Sequence, residues 1–308
     1  MAAERSLRFS ITPFNYTRQF YYALEKGIVR PEGVSVDVVH KHSPQKDQAI
    51  VCGDVDATTM SLGKYVITKS ISHTDVFPND PSVVGAGLSY RQGSGLFAPS
   101  DSNIAGPTDL EGVRLGIHDQ SGAMTFHKAI LDHHFDVDVD AIDWVVDTHQ
   151  NLSKAFESRE VDVVERVGDW YWDYLDDPNV ELLYDLADGW HKLEGAYPLI
   201  HLIVLDRRFC EENPSTVDAF LQALRDSRDY RDNYYEDVLS ALRGDSRKGE
   251  SEQSIERLQR ITKTATLPVT LDESAKANIR AWMDYAVEYG VLAEAITDDR
   301  LFPEWADE

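Results

Sequence analysis

The sequence predicts an α/β protein of two lobes, with a ligand cleft between them and a helical block at the C-terminus. Three observations carry that expectation. Strand-like and helix-like segments alternate from residue 7 to residue 165, a rhythm that favours largely parallel sheets covered by helices. The rhythm runs twice, with a break after Tyr90. After a last apolar strand at 198–205 the chain turns all-helical, and helices with no strands of their own must pack on an existing sheet. The economical solution returns the chain to the first lobe near Pro198. Residues 1–91 and 199–308 then form lobe I, and 92–198 form lobe II.

The elements follow in order. Leu7 to Ile11 alternates and reads as a strand, and Thr17 to Lys26 reads as a helix stopped by Gly27. The turn Pro31-Glu32-Gly33 introduces a strand at 34–39, and a short helix follows at about 44–51. Val55 to Thr59 is strand-like, and Ser61 can cap a helix running to about Ser70. Strands follow at 83–88 and 93–98, a helical turn at 108–110, and a strand at 113–117. The polar loop Asp119 to Ala123 feeds a helix at about 124–134. A strand at 142–146, a helix at 150–158 and a strand at 161–165 complete lobe II. The segment 167–194 is rich in aromatic and acidic residues and is assigned no element. In the C-terminal block, Val217, Phe220, Leu221 and Leu224 recur at helical spacing, as do Ile279, Trp282, Met283 and Ala286. Gly244 to Ser254 is polar and is expected to be an exposed loop.

Charge excludes several function classes. The 308 residues hold 54 acidic and 30 basic side chains, for a net charge of −24. Such a chain repels phosphate backbones and anionic lipid, so nucleic acid and membrane surfaces are not expected partners. The acid is spread along the chain, with 34 Asp and 20 Glu, a pattern that suits a surface kept soluble in concentrated salt. The melting temperature should therefore climb between dilute buffer and molar salt, and a flat profile in calorimetry would remove the halophilic expectation. The first residues, MAAERSLRFSITPF, lack the apolar run of about 7–15 residues of a secretory signal, which points to the cytoplasm. Cys52 and Cys210 have no CxxC or zinc-finger spacing and read as core thiols.

The runs YALEKGIVRPEGVSVDVV (22–39), VCGDVDATTMSLGKYVITKS (51–70), LFAPSDSNIAGPTDLEGVRLGI (96–117) and AYPLIHLIVLDRRFCEENPSTVDAFLQAL (196–224) resemble the 4,5-dihydroxyphthalate decarboxylase-like family. That family belongs to the type II periplasmic-binding-protein superfamily, whose two-lobed fold also serves the solute receptors of ABC transporters. The resemblance implies that fold, a small carboxylated and aromatic ligand, and a functional strand histidine at His201.

In such a fold ligand groups lie on loops at the carboxyl ends of strands. That rule selects Thr12, Asn15, Tyr16 and Arg18 after the first strand, where an amide, hydroxyls and a guanidinium meet a helix start. It selects Ser61 after the strand 55–59. It selects Ser121, Gly122 and Thr125, where a helix opens with an anion-binding nest, and His127 one turn further in. It also selects His149 and the pair Glu165-Arg166, with a salt bridge to Glu165 or Asp169 as the plain alternative for Arg166. His201 and Tyr197 complete the set. No GxxxxGK[ST], GxGxxG, GxSxG or HExxH pattern occurs, so no nucleotide or flavin cofactor is expected. His40 and His42 share a strand face, but no metal is expected either.

The leading expectation is a cytoplasmic carboxy-lyase without a cofactor. His201 would be its acid, and Arg18 and Arg166 its carboxylate clamps. The alternatives are a non-catalytic solute-binding protein of an ABC importer, or an enzyme making a menaquinone or thiamine precursor on the same fold. A homo-oligomer is left open.

Overall fold

The computed structural model describes residues 5–42, 45–71, 79–118, 122–244 and 255–302. Described residues within Met1–Ser89, Leu199–Lys276 and Ile296–Glu308 form one compact unit, and those within Tyr90–Pro198 and Ala277–Ala295 form a second. The stretch 277–295 thus lies with unit 2, whereas the sequence placed it in lobe I.

The chain begins in unit 1 with β1 (Arg5–Ile11), α1 (Asn15–Glu25), β2 (Val34–His40), α2 (Gln45–Val51), β3 (Ala57–Ser61), α3 (Leu62–Ile71), β4 (Pro81–Ala86) and the two-residue β5 (Ser89–Tyr90). α1 ends where Gly27 adopts φ +65°, which a side chain would resist. The chain then builds unit 2 from β6 (Ser94–Pro99), β7 (Arg114–Ile117), α4 (Gly122–Phe135), β8 (Asp143–Val146), α5 (His149–Glu157), β9 (Val163–Val167), α6 (Asp169–Leu175), β10 (Val180–Asp185) and α7 (Leu186–Glu194). Thr148 caps α5 by accepting from the Asn151 N–H, and Asp185 caps α7 through two N–H groups. The return to unit 1 is β11 (His201–Asp206), followed by α8 (Arg207–Glu212), α9 (Pro214–Asn233), α10 (Tyr235–Gly244), α11 (Ile255–Lys263), a short β12 (Ala265–Thr266), α12 (Glu273–Glu288) and α13 (Asp298–Leu301).

Unit 1 holds a five-stranded sheet in the order β2-β1-β3-β11-β4. β1 pairs in parallel with β2 and β3, while β11 runs antiparallel to both β3 and β4. Unit 2 holds a second sheet in the order β10-β6-β9-β7-β8, parallel across β7, β8 and β9 but antiparallel where β6 meets β9 and β10. Both sheets are therefore mixed rather than largely parallel. β6, which opens unit 2, and β11, which returns to unit 1, each run against both of their sheet neighbours, which alternation along the chain does not reveal. In unit 1, Phe9 meets Tyr21 of α1 and Phe220 of α9 edge-on at 5.2 and 5.1 Å. In unit 2, Trp190 meets Phe126 at 4.7 Å, and buried Trp282 of α12 donates to the Gly122 carbonyl at 3.4 Å. That bond ties the 277–295 stretch to α4.

Other expectations are corrected in detail. The C-terminal block contains a strand, β12. The stretch 167–194 contains α6, β10 and α7. Cys52 is exposed rather than buried, Cys210 is buried, and both are free. Residues 245–254 and Ser121 lie outside the described residues.

Candidate functional site

β1, β2 and β3 are parallel, so Ile11, His40 and Ser61 end at one edge of the unit 1 sheet. β11 starts at that same edge, with His201 opposite Ser61. Its approach depends on Gly87: a Cβ there would stand 2.4 Å from the His201 carbonyl oxygen, so only glycine lets the strand seat. Burial drives the His201 imidazole down to about 3, with the Lys46 charge adding to the effect. Among the described residues its buried Nδ1 has no hydrogen-bond partner.

Lys46, on the first turn of α2, is fully buried. Its Nζ stands 3.2 Å from Asp47 Oδ1 but outside hydrogen-bond geometry, and it finds no hydrogen bond among the described residues. Desolvation lowers its pKa against the pull of Asp47. Asn15, at the start of α1 on the same edge, also keeps a buried Oδ1 without a partner. Buried polar groups are nearly always satisfied, so His201 Nδ1 and Asn15 Oδ1, beside an ammonium that among the described residues has only the Asp47 carboxylate for company, mark a place suited to a polar ligand. The loops carrying them touch through Phe14, whose ring meets His42 at 5.6 Å and Tyr16 at 5.5 Å.

Arg18 does not join this group as a ready clamp. It is 1 % exposed, and its Nη2 and Nε donate to Glu25 at 3.0 and 3.4 Å. Burial would raise the Glu25 carboxyl, but His40 and Arg18 outweigh it and hold it down at about 2. His40 lies 3.4 Å from Glu25, so His40 and His42 face different partners. Thr12 and Thr17 share a buried hydroxyl contact at 3.3 Å.

In unit 2 the parallel strands β7, β8 and β9 present a second edge. His118 follows β7, His149 opens α5 after β8, and Trp170 follows β9. Their rings stack, with 4.1 Å between His118 and His149 and 4.5 Å between His149 and Trp170. Glu165, fully buried on β9, lies 2.5 Å from His118 Nδ1 and 3.5 Å from His127 Nε2. His127 Nδ1 meets the Tyr184 hydroxyl. Burial alone would raise Glu165, but His118 and then His127 outweigh it and hold its carboxyl well below the usual range. Burial, then the His118 charge, pushes His149 down to about 3.

Glu165 and Arg166 do not pair through their side chains, since neighbours on a strand point to opposite faces. Arg166 is fully buried, donates to the Tyr174 hydroxyl at 2.8 Å and to Ser153 Oγ at 3.2 Å, and stacks over the Tyr174 ring at 4.4 Å. Its guanidinium is thus engaged within unit 2. Gly122 and buried Thr125 sit on the first turn of α4. Tyr197 belongs to unit 2, stacked on His191 at 4.5 Å under Arg91, while His201 belongs to unit 1. Sequence reasoning missed Lys46, His118, Trp170 and Tyr184. The strand-end rule points to the first three loops, but only burial singles out these side chains.

Residues 15–233 match the family model described as NMT1/THI5 like. Among curated proteins no sequence relative matches. Solved structures share the fold across nearly the whole chain. The periplasmic aliphatic sulphonate-binding protein SsuA of Escherichia coli is 14 % identical, with a TM-score of 0.77 over 97 % of this chain and 92 % of that one. The alkanesulfonate-binding SsuA of Xanthomonas axonopodis pv. citri, bound to MOPS, is 16 % identical, with a TM-score of 0.76 over 98 % and 99 %. A putative periplasmic sulfonate-binding SsuA of a sulfonate ABC transporter from Methylobacillus flagellatus is 16 % identical, with a TM-score of 0.71 over 98 % and 93 %. The chain thus has the two-lobed α/β periplasmic-binding-protein fold. The periplasmic setting of these neighbours overturns the expected cytoplasmic location. No helix among the described residues is long and apolar enough to cross a membrane.

Proposed function

The chain belongs to the NMT1/THI5-like family, and on that premise we propose that it is an extracytoplasmic solute-binding protein of an ABC importer that takes up a small organic anion, a carboxylate or a sulfonate. One observation carries the proposal: the buried Lys46 ammonium, without a hydrogen bond among the described residues, on the sheet edge where His201 Nδ1 and Asn15 Oδ1 are also unsatisfied. An incoming anionic oxygen would add a second carboxylate-like partner to the ammonium beside Asp47, and a charge-assisted bond in a desolvated place is strong. The sulfonate-binding neighbours support an anion.

Burial works against His201 as the acid of a lyase. With its pKa near 3, His201 is uncharged at neutral pH and is a poor proton donor to a ring carbon. Calorimetric titration with alkyl and aryl sulfonates and carboxylates should find at least one ligand bound at about micromolar strength or tighter, recovered unchanged. Release of carbon dioxide from 4,5-dihydroxyphthalate would restore the lyase, and failure of the whole panel to bind would refute the anion receptor.

A further inference from the structure

Unit 2 carries a second cluster that solute binding does not use. Asp132 and His133, on the last turns of α4, face Glu288 at the end of α12, and one ligand atom from each lies within 4.8 Å of the others. His133 Nε2 stands 3.1 Å from both carboxylate oxygens of Glu288. Two ligands of a tetrahedral zinc, each at about 2.0–2.1 Å, lie roughly 3.3 Å apart, so the His133–Glu288 spacing is close to what one ion needs, and Asp132, within 4.8 Å of both, would draw in to complete the set. The Tyr289 hydroxyl donates to Asp132 Oδ2 at 3.0 Å, which orients that carboxylate. The cluster borders a hollow of about 460 Å³ lined by Asp132, Asp138, Asp140, Glu288, Lys128 and Tyr289. The Lys128 ammonium is drawn over the Trp144 and Tyr289 rings, at 5.8 and 5.6 Å.

We infer that Asp132, His133 and Glu288 form a binding site for a borderline divalent cation of the zinc type, one that staples the 277–295 stretch to α4. One imidazole with two carboxylates suits zinc better than calcium or magnesium, which take oxygen ligands. The histidine separates this site from the general attraction of an acidic surface for cations. The two sides of the cluster are 155 residues apart in sequence, so a shared ion would cross-link the last turns of α4 and α12.

The test uses the full-length protein, stripped with a chelator and titrated with zinc chloride alone. One ion per chain should bind at about micromolar strength, and zinc should raise the melting temperature. His133→Ala and Glu288→Gln should each weaken zinc binding at least about tenfold, the usual range for losing a contribution to a metal shell, and abolish the thermal shift. Calcium should bind both variants as weakly as it binds the wild type. Tetrahedral cobalt absorption in the wild type that is lost in His133→Ala would identify the imidazole as a ligand whatever the variants do to stability. No zinc binding by the wild type at tens of micromolar, or undiminished binding by folded His133→Ala, overturns the site.

Discussion

Replacing Lys46 by Met should weaken binding of the organic anion by about 100-fold and also destabilise the unliganded protein. The two halves of that result have different causes. Asp47 lies 3.2 Å from the ammonium and is itself buried, and removing one partner of a buried ion pair leaves the other uncompensated, at a cost of about 3–5 kcal/mol. The same ammonium, once it meets an anionic oxygen, forms a desolvated pair whose truncation costs about 2–5 kcal/mol of affinity. Calorimetry and thermal unfolding of one preparation measure both. Undiminished affinity in Lys46→Met would show that the anion sits elsewhere, and unchanged unliganded stability would show that the Lys46–Asp47 pair contributes nothing to the fold.

Glu165→Gln should destabilise the fold by about 3 kcal/mol near neutral pH, because it leaves two histidines facing a buried amide in place of a charge. Its pH signature is specific. The folded carboxyl is held well below its unfolded value of 4.5, so its stabilising contribution is fully present above about pH 4.5 and is lost as pH falls through the folded value. His149 and His201 act over a different window. Each falls from 6.5 to about 3 on folding, so the unfolded chain binds more protons in between and stability declines as pH drops from about 6.5. Glu25, also held low, acts in both proteins and cancels. Urea unfolding of wild type and variant should therefore run in parallel from about pH 6.5 down to 4.5 and converge below it. Curves that stay parallel to pH 3 would show that Glu165 is not ionised against the histidines.

Much of the fold was legible because alternation and helical spacing are local. β1, β2, α2, α3 and β8 begin or end within a residue or two of where the pattern put them. The stretch 169–194 was not legible. α6 has only seven residues, and β10 is an edge strand whose register slips between Leu182 and Tyr184, so neither sustains a period. Arg18 was selected for its chemistry, yet Glu25 seven residues later sits on the same helix face, and that spacing alone indicates an internal pair. Lys46 lies in QKDQAIV, which reads as an ordinary polar helix start. Its importance comes from being fully buried, which depends on strands far away in sequence. His118, His127 and Glu165 are likewise joined only by the pairing of β7 with β9.

The place of β11 also sets the order in which the newly made chain can close. Unit 2 draws all five strands of its sheet from one uninterrupted run, 94–185, and can complete that sheet as soon as the run has emerged. Unit 1 cannot. β4, whose six residues are all buried in the finished protein, has β11 as its neighbour in the sheet, and residues 87–200 must be made before that partner arrives. At roughly 5–20 residues per second that wait is on the order of ten seconds. During it an apolar strand and the open side of β3 are available for wrong pairing. Translation speed and the chaperones present in that interval should therefore govern how faithfully the unit 1 sheet pairs more than the unit 2 sheet, and the sheet that begins the chain is the later of the two to close.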